Sequence, residues 1–260
     1  MRNSTYSAVF GALSNEMRMS TIANNLANVN TTAYKKDQMA FHDTFTRFAH
    51  DSLVDSKSFI RDKELFPKAN IMAKVRLSDQ QLDFTQGGLE KTGNQLDFGL
   101  AGEGFFKVQA GDETLYTRAG NFLVDSEGTL VTQDGNPVLV DGGPKVIPPG
   151  AKVFVDPGGN MSINGETAGA LDLVTFTDLA AIERVGSNLY RTKEGVNAGE
   201  QVPTDLIVQQ GFTEKSNIDV VTEMVHMIET QRSFTMYSKM IQTADEMDKK
   251  LITQVGRPTI

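Results

Sequence analysis

The sequence predicts an α+β protein: N- and C-terminal helices paired as a coiled-coil-like domain, with a central antiparallel all-β domain between them. Three observations lead there. Of the 23 glycines, 21 fall between Gly87 and Gly211. Glycine costs a helix about 1 kcal/mol and serves turns, so long helices are confined to the two ends. At both ends apolar residues recur at steps of three and four, as in amphipathic helices. Between them, short apolar runs alternate with turns rich in Gly, Asp and Asn.

The first helix is expected over about 5–29. Tyr6, Phe10, Leu13 and Met17 form a stripe, and Met19, Ile22, Ala23 and Leu26 continue it with a shifted phase. The last helix is expected over 217–253, a stretch with neither Gly nor Pro. Its stripe runs Val221, Met224, Ile228, Phe234, Tyr237, Ile241, Ala244, Met247 and Leu251, with Gln231 bridging the long step from Ile228 to Phe234. Ser216 followed by Asp219 reads as a capping box, and Gly256 and Pro258 end the helix. A helix of about 50 Å is too long to bury its stripe on a small core. The end helices are therefore expected to pack on each other and on other copies. Pattern alone also admits a single α+β domain whose helices pack on its own sheet.

In the middle, strands are expected at 105–108, 114–118, 121–124, 129–132, 138–140, 153–155, 161–164 and 171–176. The turns between them include Asp125-Ser126-Glu127-Gly128, Asp134-Gly135-Asn136-Pro137 and Asp156-Pro157-Gly158-Gly159. Residues 42–81 carry scattered aromatics without period and read as an extended linker. The expected organisation is thus a discontinuous helical domain of 1–40 plus 213–260, a linker over 41–80, and a β domain over 81–212.

Composition excludes several functions. A net charge of -8 lacks the positive field that nucleic-acid phosphates require. With no Cys there is no disulfide, thiolate nucleophile or thiolate metal site. His42, His50 and His226 stand without HExxH or carboxylate companions, so no metal site is expected. No G-x-S-x-G elbow occurs. Gly102-Glu103-Gly104 precedes a strand and lacks the Lys of a phosphate loop, so it reads as a turn or bulge. No catalytic residue, cofactor or small-molecule substrate is expected. The N-terminus lacks the apolar core of a signal peptide, so any export is expected to use another route. The methionines of the last helix read either as an ordinary buried face or as an adaptable surface for neighbours.

Three segments carry a resemblance. Ala23-Asn24-Asn25-Leu26-Ala27-Asn28-Val29-Asn30-Thr31-Thr32-Ala33-Tyr34-Lys35 resembles the N-N-L-A-N-x-x-T-x-G-[FY]-K signature of the flagellar rod, hook and hook-associated family, with Ala33 in place of Gly. Leu96 to Phe106, followed by Tyr116-Thr117-Arg118-Ala119-Gly120, resembles the family's D-x-x-I-x-G-x-G-F-F strand and its sequel. Gly211 to Asp219, with Glu214, Ser216 and Asn217, resembles the start of its C-terminal helix.

The resemblance implies a structural subunit that assembles through its terminal helices into the periplasmic rod of the bacterial flagellar basal body. It implies adjacent rod subunits and the flagellar export apparatus as partners, and passage out of the cytoplasm without a cleaved signal. Length, a single central domain and the Tyr6-Ser7-Ala8 start are most like a proximal rod subunit, with the distal rod as the close alternative and a hook-type subunit of the same family beside it. A cell-wall-binding β module is the rival outside that class. The expected assembly interface is Tyr6, Phe10, Leu13, Met17, Leu26, Met224, Ile228, Phe234, Ile241 and Met247. The family motif falls on Asn24, Asn25, Leu26, Ala27, Asn28, Ser216 and Asn217.

Overall fold

The computed structural model describes residues 2–47, 71–111, 113–186, 188–193 and 195–255. Helix α1 spans Arg2–Ala27 and helix α2 spans Val220–Val255. Between them almost every element is a short strand. The terminal helices, the central antiparallel strands and most expected turns are therefore as the sequence predicts.

Contacts divide the chain into two units. The first holds 1–23, 39–80 and 224–260, and the second holds 24–38 and 81–223. In the first unit α1 and α2 pack together, with Gly11 of α1 against the ring of Tyr237 of α2. A Cβ at Gly11 would lie 2.6 Å from that ring, so the missing side chain is what lets the helices approach. Residues 41–80, expected as a linker, carry paired strands at their ends. Lys36–Arg47 and Ile71–Asp83 form a two-stranded sheet. Residues 48–70, including His50, lie outside the described residues.

In the second unit the largest sheet has six strands. Their order is Ile182–Arg184, Leu189–Thr192, Glu113–Thr117, Phe105–Ala110, Leu173–Phe176 and Glu200–Gln201, with antiparallel neighbours throughout. Strands Val153–Val155, Asn160–Ile163 and Glu166–Ala170 form a second, three-stranded sheet. One core gathers Phe98, Phe106, Phe122, Leu130, Val138 and Met161. The other gathers Phe105, Tyr116, Val174, Phe176 and Tyr190. Adjacent Phe105 and Phe106 enter different cores because successive strand side chains point to opposite faces.

The ends of this unit close on each other. Phe98–Ala101 pairs with Ile207–Gln210, and Leu89–Lys91 pairs with Phe212–Glu214. Turn chemistry explains the tips. Asp125 Oδ1 accepts from the backbone N–H groups of Glu127 and Thr129 in the hairpin joining Leu123–Val124 to Leu130–Val131. Asp156 caps its turn in the same way, accepting from Gly158 and Asn160.

The start of α2 departs from the expected capping box. The cap is Asp219, whose carboxylate accepts from the Val221 N–H at 3.1 Å and the Thr222 hydroxyl at 2.6 Å. Those bonds hold its pKa below the usual carboxylate range. The Ser216 hydroxyl is buried and has no hydrogen-bond partner among the described residues. The chain is still finishing the strand Phe212–Glu214 just before Ser216, so the helix starts one turn later than a Ser216 cap requires.

Candidate assembly surface and the polar knot at the helix roots

Each terminal helix carries two apolar faces. On α1 the buried face is made of small residues and one large one, Ala8, Gly11 and Ile22. The opposite face holds Tyr6, Val9, Leu13 and Met17, exposed at 55%, 45%, 45% and 39%. These are spaced 3 or 4 residues apart and so form one line along the helix. The expected α1 stripe is thus the solvent face, and the small residues make the internal contact. Phe10 and Leu26 are half-buried at the flanks.

On α2 the expected single stripe separates into two. Phe234, Tyr237, Ile241 and Ala244 are half-buried in line with buried Glu223 and Thr230. Val221, Met224, Val225 and Ile228 are exposed, as are Met236, Met240 and Met247. The step from Ile228 to Phe234 is a change of face: at about 100° per residue, six residues leave the two side chains about 120° apart around the helix. Of the expected interface residues, Tyr6, Leu13, Met17, Met224, Ile228 and Met247 are exposed, while Phe234 and Ile241 belong to the half-buried face.

The motif residues meet at the helix roots. Asn25 treats the backbone of Asp37 as a strand partner: its Nδ2 donates to Asp37 O and its Oδ1 accepts from Asp37 N, both at 3.0 Å. Asn28 Nδ2 donates to Asn24 O at 2.9 Å, closing the last turn of α1. Asn24 Oδ1 also accepts from the Tyr34 hydroxyl at 3.2 Å. Ala27 is exposed at the helix end. Ala33 takes the left-handed conformation at φ 54, which explains why the family signature has Gly there. Asn217 accepts from Lys36 N at 2.8 Å and donates to Asp83 O at 2.8 Å, tying the segment before α2 to the segment after α1.

Beside this lies a buried ionic trio. Glu214 takes Lys35 Nζ on Oε1 at 2.7 Å and Arg118 Nε on Oε2 at 2.9 Å. Glu214 Oε1 also accepts from Gly87 N. Lys35 donates on to Thr85 O, and Arg118 to the carbonyls of Gly102 and Gly104. Burial lowers the pKa of Lys35, and Glu214 offsets part of that shift. One residue of the trio comes from each of the three resembling segments. The role of the trio escaped the sequence reading because the motif letters carry no sign of spatial contact. A second ion pair joins Arg184 to Asp37 at 2.8 Å, with the guanidinium 4.3 Å from the Tyr34 ring centroid.

Among the described residues no group of three or more His, Asp or Glu could hold a metal ion. No helix among them is long and apolar enough to cross a membrane.

Three family profiles match in chain order. They are the flagella basal body rod protein profile over 6–35, the flagellar hook protein FlgE/F/G D1 domain over 99–166, and the flagellar basal body rod FlgEFG protein C-terminal profile over 209–254. The chain is 34% identical to the flagellar basal-body rod protein FlgG of Buchnera aphidicola subsp. Schizaphis graminum, across 91% of this chain and 93% of the relative. It is 33% identical to FlgG of Bacillus subtilis, across 97% and 98%. It is also 33% identical to the flagellar basal-body rod protein FlgF of Caulobacter vibrioides, across 99% of both.

Proposed function

Because the chain belongs to the flagellar basal-body rod protein family of structural subunits, we propose that it is a building block of the periplasmic rod, stacked through its terminal helices on adjacent rod subunits. The observation that carries this reading is the second apolar face on each terminal helix. A helix that only closed its own fold would expose a polar back. Here Tyr6, Leu13, Met224 and Ile228 lie opposite the internal contact. The exposed methionines suit contacts with neighbours of slightly differing shape. The candidate interface, the discontinuous helical polymerisation domain and delivery by the flagellar export apparatus all belong to this reading.

Within the family we read the chain as a proximal rod subunit of the FlgF kind. The end-to-end match to a FlgF relative supports this. The distal, FlgG reading is favoured by the several FlgG relatives at similar identity. The test is genetic. The gene is deleted, basal bodies are isolated and the level at which the rod stops is imaged. A rod that stops short supports a structural role, and its length separates proximal from distal. Complete rods and normal swimming would overturn the reading.

A further inference from the structure

We infer that the line of methionines on the outer face of α2 is an oxidation site. A hydroperoxide converts Met236, Met240 and Met247 to sulfoxides in the free subunit, and the oxidised chain does not enter the stack. This rests on the structural-subunit reading above and adds a chemical control to it.

Composition makes the thioethers the softest groups of the chain. It holds 11 methionines and neither cysteine nor tryptophan. A two-electron oxidant therefore meets no thiol or indole, and thioether sulfur is its first target. Access to sulfur then decides which methionine reacts. Met236, Met240 and Met247 are exposed at 68%, 57% and 55%. Met161 is fully buried in the core of the β domain. Met39 is half-buried, and its sulfur accepts from the Thr21 hydroxyl at 3.0 Å, which engages the lone pair that would attack peroxide.

The placement turns separate oxidations into one event. Steps of 4, 3 and 4 residues lead from Met236 through Met240 and Thr243 to Met247, so all four lie along one line of α2. The line spans roughly 16 Å at about 1.5 Å per residue. It runs beside the half-buried Tyr237, Ile241 and Ala244. Sulfoxidation replaces a pliable apolar strip by a row of strong oxygen acceptors. Against water this changes little in the free chain. Against an apolar neighbour each acceptor is buried without a donor, which opposes the contact. Oxidation therefore spares the fold and strikes the assembly surface.

The step balances. The sulfur lone pair attacks the outer oxygen of the hydroperoxide, so an S–O bond forms as the O–O bond breaks. The departing oxygen takes the hydroperoxide proton and leaves as water or an alcohol. Sulfur is oxidised by two electrons and the peroxide is reduced by two. A methionine sulfoxide reductase returns the thioether, so the change is reversible.

The experiment induces the chain in cells during a pulse of hydrogen peroxide. Basal bodies and unassembled periplasmic chain are then separated, quantified and digested for mass spectrometry. Sulfoxide at Met236, Met240 and Met247 is expected to be enriched several-fold in the unassembled chain, with Met161 unoxidised in both pools. A variant with Met236→Leu, Met240→Leu and Met247→Leu keeps side-chain volume and helix propensity. Under the same pulse it should enter basal bodies at several times the parent's level. Each single Leu variant should recover part of that difference, which keeps the comparison open if the triple change disturbs assembly itself. Equal loss of incorporation in the parent and the Leu variants would overturn the inference. So would equal shares of sulfoxide in the two pools, or Met161 oxidised as fast as the helix line. If the parent is absent from basal bodies of unstressed cells, the structural-subunit reading itself fails.

Discussion

Lys35 and Glu214 stand 179 residues apart in the chain and 2.7 Å apart in the fold, with both side chains shut away from water. With Arg118 on the other carboxylate oxygen, one buried anion serves two buried cations. The three strands of sequence that supply them are the segment leaving α1, the central sheet and the segment entering α2.

The balance of charge decides which substitution hurts most. Glu214→Gln leaves two buried cations facing an amide, and breaking a buried pair by removing one partner costs about 3–5 kcal/mol. Lys35→Met removes the surplus cation and leaves Glu214 paired with Arg118. Urea unfolding should rank Glu214→Gln well below Lys35→Met in stability. Equal losses would mean the trio acts as separate bonds.

Alkaline stability should depend on buried tyrosines. Burial pushes Tyr190 up to about 12, and burial with the bond to Glu200 pushes Tyr116 up to about 12. A raised folded pKa means the folded chain keeps a proton that the unfolded chain loses near pH 10. That stabilisation is whole below about pH 10 and is lost as pH climbs toward 12. The Tyr190 hydroxyl has no hydrogen-bond partner among the described residues, so Tyr190→Phe should cost little at pH 7. Denaturant melts across pH 9 to 12 should show a shallower decline for this variant than for the parent. Lys35 works in the opposite direction: its lowered pKa adds stability as pH rises toward the ordinary lysine value.

The two faces of α2 should separate folding from assembly. Ile228→Asp places a charge on the exposed face and should change monomer stability by about 0.5 kcal/mol or less. It should nevertheless stop rod assembly. Phe234→Asp strikes the half-buried face and should loosen the helix pair itself, at a cost of a few kcal/mol. Hydrogen exchange in α2 should be unchanged in the first and accelerated in the second. Normal swimming of Ile228→Asp cells would remove the exposed face from the assembly surface.

Gly11 sets the spacing of the helix pair. A methyl there meets the Tyr237 ring at 2.6 Å, so Gly11→Ala must push the ring aside. Helical exchange protection should fall, and Tyr237→Ala in the same chain should restore much of it. Protection unchanged by Gly11→Ala would mean the ring moves freely.

The helices, the sheet and the turn chemistry were legible because each follows from local periodicity and glycine placement. The direction of the helix faces was not. On α1 Tyr6, Val9, Leu13 and Met17 point to solvent while Ala8, Gly11 and Ile22 lie on the inner face, so ranking residues by hydrophobicity selects the wrong side for most of the internal contact. On α2 the long step from Ile228 to Phe234 holds the change of face, and bridging it with Gln231 merged two surfaces. The ladder between Lys36–Arg47 and Ile71–Asp83 escaped because its partners are separated by more than twenty residues, too far for a short hairpin to mark them in the sequence. Lys35, Arg118 and Glu214 stood inside the three matching segments, yet nothing local states that they touch.

The pairing of Leu89–Lys91 with Phe212–Glu214 also has a consequence in time. Synthesis from the N-terminus presents Lys35 and Arg118 first, and both must wait for a carboxylate that arrives with the last fifth of the sequence. Until then the sheet lacks its closing strand and the two cations stay hydrated. Glu214 therefore completes a buried contact that the first four-fifths of the chain cannot make on its own. Such long-range closure is slow to form.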